Sequence, residues 1–340
     1  MLNCAVIGAG FSGLALCYYL LEKGQKVTVF DGKGVGGEAS GIASGLMHPY
    51  PGQEARLSWK GQEAIESSKE LFKIVAQSSN TLNMLRKGVI RLALTEKQKA
   101  IFFQRSLAYN DVEWIEDVYS QLGMQQQTPF SGILIHSGVT VHPTLYLKAL
   151  WEVCRKKGAK FFQKNVVLKD LESFDQVAIA AGKGALSFEG FSKVSLKLNK
   201  GQILKCEKPS SLKSTHSIIG KGYIALSHLK NSCYLGSTYE REFLDDAPCL
   251  KRAKELILPR LEQYFSLSKK IKILSCVSAV RVSHFKNYHP IADQIDARTW
   301  VFSGMGSRGL LYHSYLGKKL ACAMVERNTK QLPKEVRIVR

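Results

Sequence analysis

The chain has 340 residues, 45% of them hydrophobic and 22% charged, globular proportions with room for a sizeable core in one large domain or two interleaved ones. No apolar run reaches the roughly 18 residues that a membrane-spanning helix needs, so a membrane span is not expected. Lys and Arg number 48 against 28 Asp and Glu, a formal charge of +20; this points to a polyanionic partner, nucleic acid first, or to a lysine-rich background.

The first element is Leu2 to Ile7, a short apolar run with Val and Ile suited to a buried parallel strand. Gly8, Gly10 and Gly13, with Ala9, Phe11 and Ser12 between them, form G-x-G-x-x-G. Leu14, Leu16, Leu20 and Leu21 follow at amphipathic-helix spacing, and Lys23-Gly24 closes that helix. A second strand, KVTVF, ends at Asp31-Gly32. Gly8 makes the tight turn, Gly10 lets the backbone reach a pyrophosphate, and Gly13 lets helix and strand pack closely. The helix N-terminus offers N–H groups and a positive dipole end, and the acid ending the second strand accepts ribose hydroxyls. A secretory signal is the competing reading of this apolar start. It requires a basic leader, which MLN lacks, and an unbroken apolar stretch, which the glycines interrupt.

After Asp31 comes GKGVGGEASGIASGLMHPY (32–50), a stretch with little side chain to pack, able to lie against a flat ligand. Ala39-Ser40-Gly41 followed by Ser44-Gly45-Leu46-Met47-His48-Pro49 resembles the flavin-lining motif of the D-amino-acid oxidase superfamily of FAD enzymes. That resemblance implies an α/β fold: a Rossmann-like FAD-binding domain with an inserted antiparallel-sheet substrate domain. Helical periodicity then covers 53–85, and short strands and a helix alternate from 88 to 134. An amphipathic helix begins after Pro143, and 165–185 reads as two strands and a glycine turn. DQVAIAAG, ending at Ala181-Gly182, is similar to the family's strand that returns to the FAD. Val166 or Val167 lies where such enzymes contact the adenine. Residues 201–274 read as mostly antiparallel strands with a charged helix over 246–265. These segments predict an FAD-binding domain of 1–85, 135–200 and 275–340, and a substrate domain of 86–134 and 201–274.

The stretch 300–326 is again strand, glycine loop, helix. Its GMGSRGLL contributes Gly304, Gly306, Ser307, Arg308, Gly309 and Leu310, amides and a helix dipole able to face an anion. The resemblance places this loop at the pyrimidine end of the isoalloxazine, where Arg308 adds a full positive charge. Three stretches in order, 220–240, 278–290 and 304–314, resemble a narrower group. This is the FAD-dependent half of the bacterial bifunctional enzyme of MnmC type that modifies the tRNA wobble uridine, here expected without its methyltransferase half. The resemblance spans nearly the whole chain but departs after Arg281: the interval to Pro290 is one residue longer, Asn287 stands where an acid is usual, and no glycine follows the proline, although Asp293 is near.

The resemblance implies oxidation of an amine bearing an α-carboxylate, by hydride transfer from the α-carbon to flavin N5 and hydrolysis of the imine. A carboxylate asks for a cation, ideally a bidentate Arg. Arg281 and Arg308 are the candidates, with Tyr239 as a phenol donor. His48 reads as a packing or hydrogen-bonding residue or a proton shuttle, and no protein base is nominated. The eight cysteines are scattered without a CxxC pair or a His/Cys cluster. They predict no metal, no disulfide framework, noncovalent FAD and a reducing, cytoplasmic compartment. Three functions stay open: oxidation of 5-carboxymethylaminomethyl-uridine in tRNA, oxidation of a free amino acid such as glycine or sarcosine, and RNA binding by a flavoprotein without catalysis.

Overall fold

The computed structural model describes residues 1–79, 84–122, 130–189, 191, 194, 196–210, 212–229, 231–265, 271–285 and 289–338. Asn287 lies outside them. In chain order the strands are β1 (Asn3–Ile7), β2 (Lys26–Phe30), β3 (Leu46–Met47), β4 (Leu85–Leu92), β5 (Val112–Ile115), β6 (Gly132–Val141), β7 (Lys160–Phe162) and β8 (Gln176–Ile179). They continue as β9 (Leu196–Glu207), β10 (Ser217–Ile219), β11 (Tyr223–Leu226), β12 (Ser232–Gly236), β13 (Ile273–His284), β14 (Ile291–Gln294) and β15 (Thr299–Ser303).

Six of these strands form one sheet in the order β14-β15-β8-β1-β2-β7, parallel except for the antiparallel β14–β15 edge. A parallel sheet must be covered on both faces, and β1 alternates accordingly. Cys4 and Val6 belong to a core shared with the helices Phe11–Glu22, Gly61–Ser79, Pro143–Lys156 and Gly309–Glu326. Ala5 and Ile7 belong to a second cluster with Phe30, Leu171, Val177 and Phe191. Within the helical layer His313 is fully buried. Its Nδ1–H donates to the Leu310 carbonyl at 2.8 Å, so Nε2 accepts from the Tyr146 hydroxyl at 2.6 Å. Burial pushes its pKa down to about 4 and keeps it neutral.

The other nine strands run β13-β9-β12-β11-β10-β4-β6-β3, with β5 pairing β6. All pairs are antiparallel except β10–β4. A separate core, including Ile90, Leu204, Ile224, Leu235, Ile257 and Tyr264, joins this sheet to the helix Leu250–Glu262.

Several expectations are adjusted. The boundaries 85/86, 134/135, 200/201 and 274/275 each fall inside a strand of the larger sheet, namely β4, β6, β9 and β13. These strands run 8, 10, 12 and 12 residues. The first of the two strands expected over 165–185 is a 3-10 turn, Leu168–Leu171. The helix expected over 246–265 spans Leu250–Glu262. The helix after residue 142 starts at Pro143 itself, where His142 Nδ1 accepts from Leu145 N at 3.0 Å as the N-cap.

A candidate flavin and carboxylate site

The Gly8–Gly13 turn is built by contacts that only glycine permits. Gly8 sits at φ +109°, and a Cβ there would come within 2.4 Å of the Ala180 carbonyl oxygen; one on Gly13 would come within 1.9 Å of the Gly8 carbonyl oxygen. Gly10 precedes the helix Phe11–Glu22 without any side-chain cap. Ser40 replaces that cap from outside, its Oγ accepting from Phe11 N at 3.1 Å. Asp31 braces the turn: one carboxylate oxygen accepts from Ala9 N at 2.8 Å and the other from Lys33 N at 2.8 Å.

Over this turn opens a cavity of about 680 Å³ lined from both glycine-rich ends of the chain, within the usual size range of cofactor sites. Its walls include Gly8, Gly10, Phe11, Ser12, Asp31 and Gly32; Ala39, Ser40 and Ser44 to His48; Val166 and Val167; Ala181 and Gly182; and Gly304 to Leu310. Of the residues expected to bind the cofactor, Ala9, Gly13 and Gly41 are not in the walls. They stand behind them: Ala9 O accepts from Gly36 N at 3.0 Å, and a Cβ on Gly41 would lie 2.0 Å from the Gly36 carbonyl oxygen.

Opposite the nucleotide turn the wall is the larger sheet, through Gly201 and Ile203 of β9, Ile219 of β10, Tyr223 of β11, and Ala279 to Val282 of β13. Arg281 is therefore in the cavity, its Nη2 donating to the Thr238 carbonyl at 3.4 Å. Room for it comes from Gly201, where a Cβ would lie 2.6 Å from Nη2. Tyr223, not singled out in the sequence, stands beside it. Its pKa is raised by burial, against the lowering effect of Ser44, the Arg281 charge and Ser237, so the hydroxyl remains a protonated donor. Gly236, paired with Tyr223 across β11–β12, leaves the space for that hydroxyl.

Tyr239 lies apart from this wall. It is 50% exposed, is not in the cavity wall, and packs its ring 5.7 Å from the Arg241 guanidinium. Past Gly236 the chain stays beside β9, with Thr238 N donating to the Gln202 carbonyl at 3.1 Å and Glu240 bridging Lys200, and the tyrosine inside GSTYE is left half-exposed. The signal for Tyr223 was GKGYIALS, with the ring placed directly after a tight turn. Arg308 lines the cavity at the start of the helix Gly309–Glu326, its guanidinium 5.6 Å from the Tyr312 ring. The first turn of that helix holds no acid, nor does that of Phe11–Glu22, so both positive dipole ends act uncancelled from within. His48 lines the cavity as a neutral imidazole, with Nδ1 accepting from Tyr50 N at 3.3 Å. Burial, with the charge of Arg91, pushes its pKa down to about 3, which suits the packing and hydrogen-bonding reading. Asp293 is not in the wall; its two oxygens accept from Gln294 N and Ile338 N, tying down the C-terminal segment.

An FAD fits these residues. The glycine cradle has no space for a side chain, Asp31 accepts from two backbone amides among the described residues and keeps lone pairs for ribose hydroxyls, and two helix N-termini face the cavity. Among the described residues no His, Cys, Asp and Glu group is arranged to hold a metal, and no helix is long and apolar enough to cross a membrane.

Comparison with known proteins agrees with this geometry. The family model described as FAD dependent oxidoreductase (DAO) matches residues 3–323. The chain is 25% identical to a glycine oxidase of Bacillus licheniformis over 191 residues, 54% of this chain and 51% of that protein. It is 22% identical to the tRNA 5-methylaminomethyl-2-thiouridine biosynthesis bifunctional protein MnmC of Magnetococcus marinus over 378 residues, 95% of this chain and 56% of that protein. The chain thus spans about half the length of the curated relatives it matches. The crystal structure of glycine oxidase from Geobacillus kaustophilus superposes with a TM-score of 0.84 at 19% identity, covering 100% of this chain and 99% of that one.

Proposed function

This chain belongs to the family of FAD-dependent oxidoreductases named for D-amino-acid oxidase, and from that premise we propose that it oxidises the C–N bond of an amine carrying an α-carboxylate. The observation that supports this reading is the pairing of Arg281 with the protonated Tyr223 in the cavity wall facing the nucleotide turn. A guanidinium and a phenol donor together match a carboxylate.

In this reading Gly8, Gly10 and Ser12 with Asp31 hold the dinucleotide, Val166 and Val167 border the adenine, and Ser40 and Ile42 to Met47 with Gly304 to Leu310 border the flavin. The bound FAD supplies an acceptor for two electrons from the carbon beside nitrogen. Arg281 and Tyr223 fix the substrate carboxylate, which orients that carbon. Arg308 and the start of the helix Gly309–Glu326 hold positive charge beside the site. Ile203, Ile219 and Val282 keep water from the reacting end, and neutral His48 adds no competing cation. We propose that the larger sheet is the substrate side and the smaller one the cofactor side.

The substrate we favour is an N-substituted glycine borne by tRNA, 5-carboxymethylaminomethyl-uridine. The formal charge of +20 supports it, because phosphate contacts reward a basic surface. A free amino acid, glycine or sarcosine, is the second reading, supported by the similarity to glycine oxidase. Anaerobic mixing of the FAD-loaded protein with glycine, sarcosine, D-alanine, unmodified tRNA and carboxymethylaminomethyl-tRNA separates them. Loss of oxidised-flavin absorbance only with the modified tRNA is expected. Rapid bleaching by glycine or sarcosine, unaffected by RNA, selects the free amino acid, and bleaching by none of the five rejects the amine-oxidising reading.

A further inference from the structure

Among the described residues no cysteine lines the site above, yet the cysteines are not equivalent. Cys4, Cys17, Cys154, Cys206 and Cys233 are wholly buried, while Cys249 is exposed and Cys276 is half-buried. These last two, 27 positions apart in sequence, meet at one atom. Cys249 N donates to Gln202 Oε1 at 2.6 Å, and Cys276 Sγ donates to the same oxygen at 3.6 Å.

We propose that Cys249 and Cys276 are a peroxide-sensitive dithiol that closes to a disulfide and, through Gln202, acts on the Arg281 end of the cavity. The first half needs no assumption about substrate; the second rests on the carboxylate reading of Arg281.

The roles of the two sulfurs follow from their surroundings. Cys249 is in solvent and stands at the N-cap of the helix Leu250–Glu262, followed by exposed Lys251 and Arg252. A helix N-terminus with cations beside it is the setting in which a thiol reacts as a nucleophile. The thiol pKa of Cys276 is raised by burial first and then by neighbouring Cys249, so it waits as a thiol. The pair Cys206 and Cys233, directly opposite across β9–β12, serves as the internal contrast: it is close but closed to solvent. Hydrogen peroxide is the oxidant. Cys249 sulfur attacks the O–O bond to give a sulfenic acid and one water; Cys276 sulfur then displaces its hydroxyl, releasing a second water. Two thiols lose two electrons and two protons, and the peroxide leaves as two waters.

Closure reaches the cavity because it takes away the S–H that Cys276 gives to Gln202. Gln202 is fully buried. Its Nε2 donates to Glu240 Oε1 at 3.0 Å, and its backbone N donates to Thr238 Oγ1 at 2.8 Å. Thr238 in turn presents the carbonyl that holds Arg281 Nη2.

The test is to expose the FAD-loaded protein to stoichiometric hydrogen peroxide, block free thiols with an alkylating agent, and map unreduced peptides by mass spectrometry. The expected product joins the Cys249 and Cys276 peptides, is lighter by two hydrogens, and reverts with dithiothreitol. In Cys276→Ser the expected product is a sulfenic acid on Cys249, trapped by dimedone. Wild-type protein in which Cys276 is alkylated after the same exposure overturns the dithiol. Acetate, a carboxylate probe read by perturbation of the flavin spectrum, tests the coupling. Its affinity should change several-fold on oxidation of wild type and stay constant in Cys249→Ser; an unchanged affinity in cross-linked wild type overturns it. If acetate perturbs neither redox state while the cross-link forms, the carboxylate reading of Arg281 and the coupling fall together and the dithiol stands.

Discussion

Arg281 reaches the cavity because position 201 on the neighbouring strand has no side chain, and Tyr223 keeps its hydroxyl because position 236 has none. Such reciprocal vacancies explain why a residue's role was only half legible in sequence. Arg281 of a resembling stretch and Gly8 and Gly10 of the nucleotide turn do line the cavity, the glycines because their spacing along the chain reflects local geometry. Tyr223 lines the cavity and Tyr239 does not, a difference the sequence does not display, because one residue of shift along a strand reverses the face. A direct check is Arg281→Ala, which should lower kcat/KM for the amine about 10- to 100-fold, the loss of one charge-assisted hydrogen-bonding partner, with FAD retained. Tyr223→Phe should show a smaller loss, and Tyr239→Phe none. Steady-state kinetics with the flavin spectrum as the binding control measure this; normal turnover in Arg281→Ala removes the clamp.

At the scale of elements, the strand–turn–helix start was legible in full, since apolar run, glycine spacing and terminal acid are all local signals. Packing supplies what the spacing left implicit, namely that Gly13 touches the turn itself. Gly13→Ala should destabilise the fold by about 1–3 kcal/mol through overpacking and weaken FAD binding. Gly158, where a Cβ meets nothing within 4 Å but φ is +97°, is the control for FAD: Gly158→Ala should cost stability through backbone strain and leave FAD affinity unchanged. Chemical denaturation and FAD titration of the two variants decide the matter, and equal FAD affinity in both contradicts the packing account. The helical layer carries a pH dependence. His313 titrates near 6.5 when unfolded and about 4 when folded. Between these values the unfolded chain binds the extra proton, so stability falls as pH falls from about 6.5 toward 4, by up to about 1.4 kcal/mol per pH unit. Thermal unfolding across this window should show a shallower slope in His313→Gln; an identical slope assigns the acid lability elsewhere.

At the scale of the whole molecule, the two sheets were expected and found, but where the chain passes from one to the other was not read. The expected boundaries cut β4, β6, β9 and β13, because alternation along a strand says which face is buried and not which sheet it joins. The basic balance is likewise a whole-molecule property. If it serves RNA, log affinity for tRNA should fall linearly with log salt, losing on the order of 10³-fold between 50 and 200 mM for about six phosphate contacts; a flat response by electrophoretic or fluorescence titration separates the charge from RNA.

Amine oxidation by this chain depends on flavin occupying the cavity between the two glycine-rich ends. Titrating the protein, stripped of bound small molecules, with FAD while following the flavin absorbance tests this most directly. Saturable one-to-one binding with a shifted and structured flavin band is predicted, lost in Gly8→Ala. A protein that leaves the spectrum of free FAD unaltered at excess cofactor would contradict it.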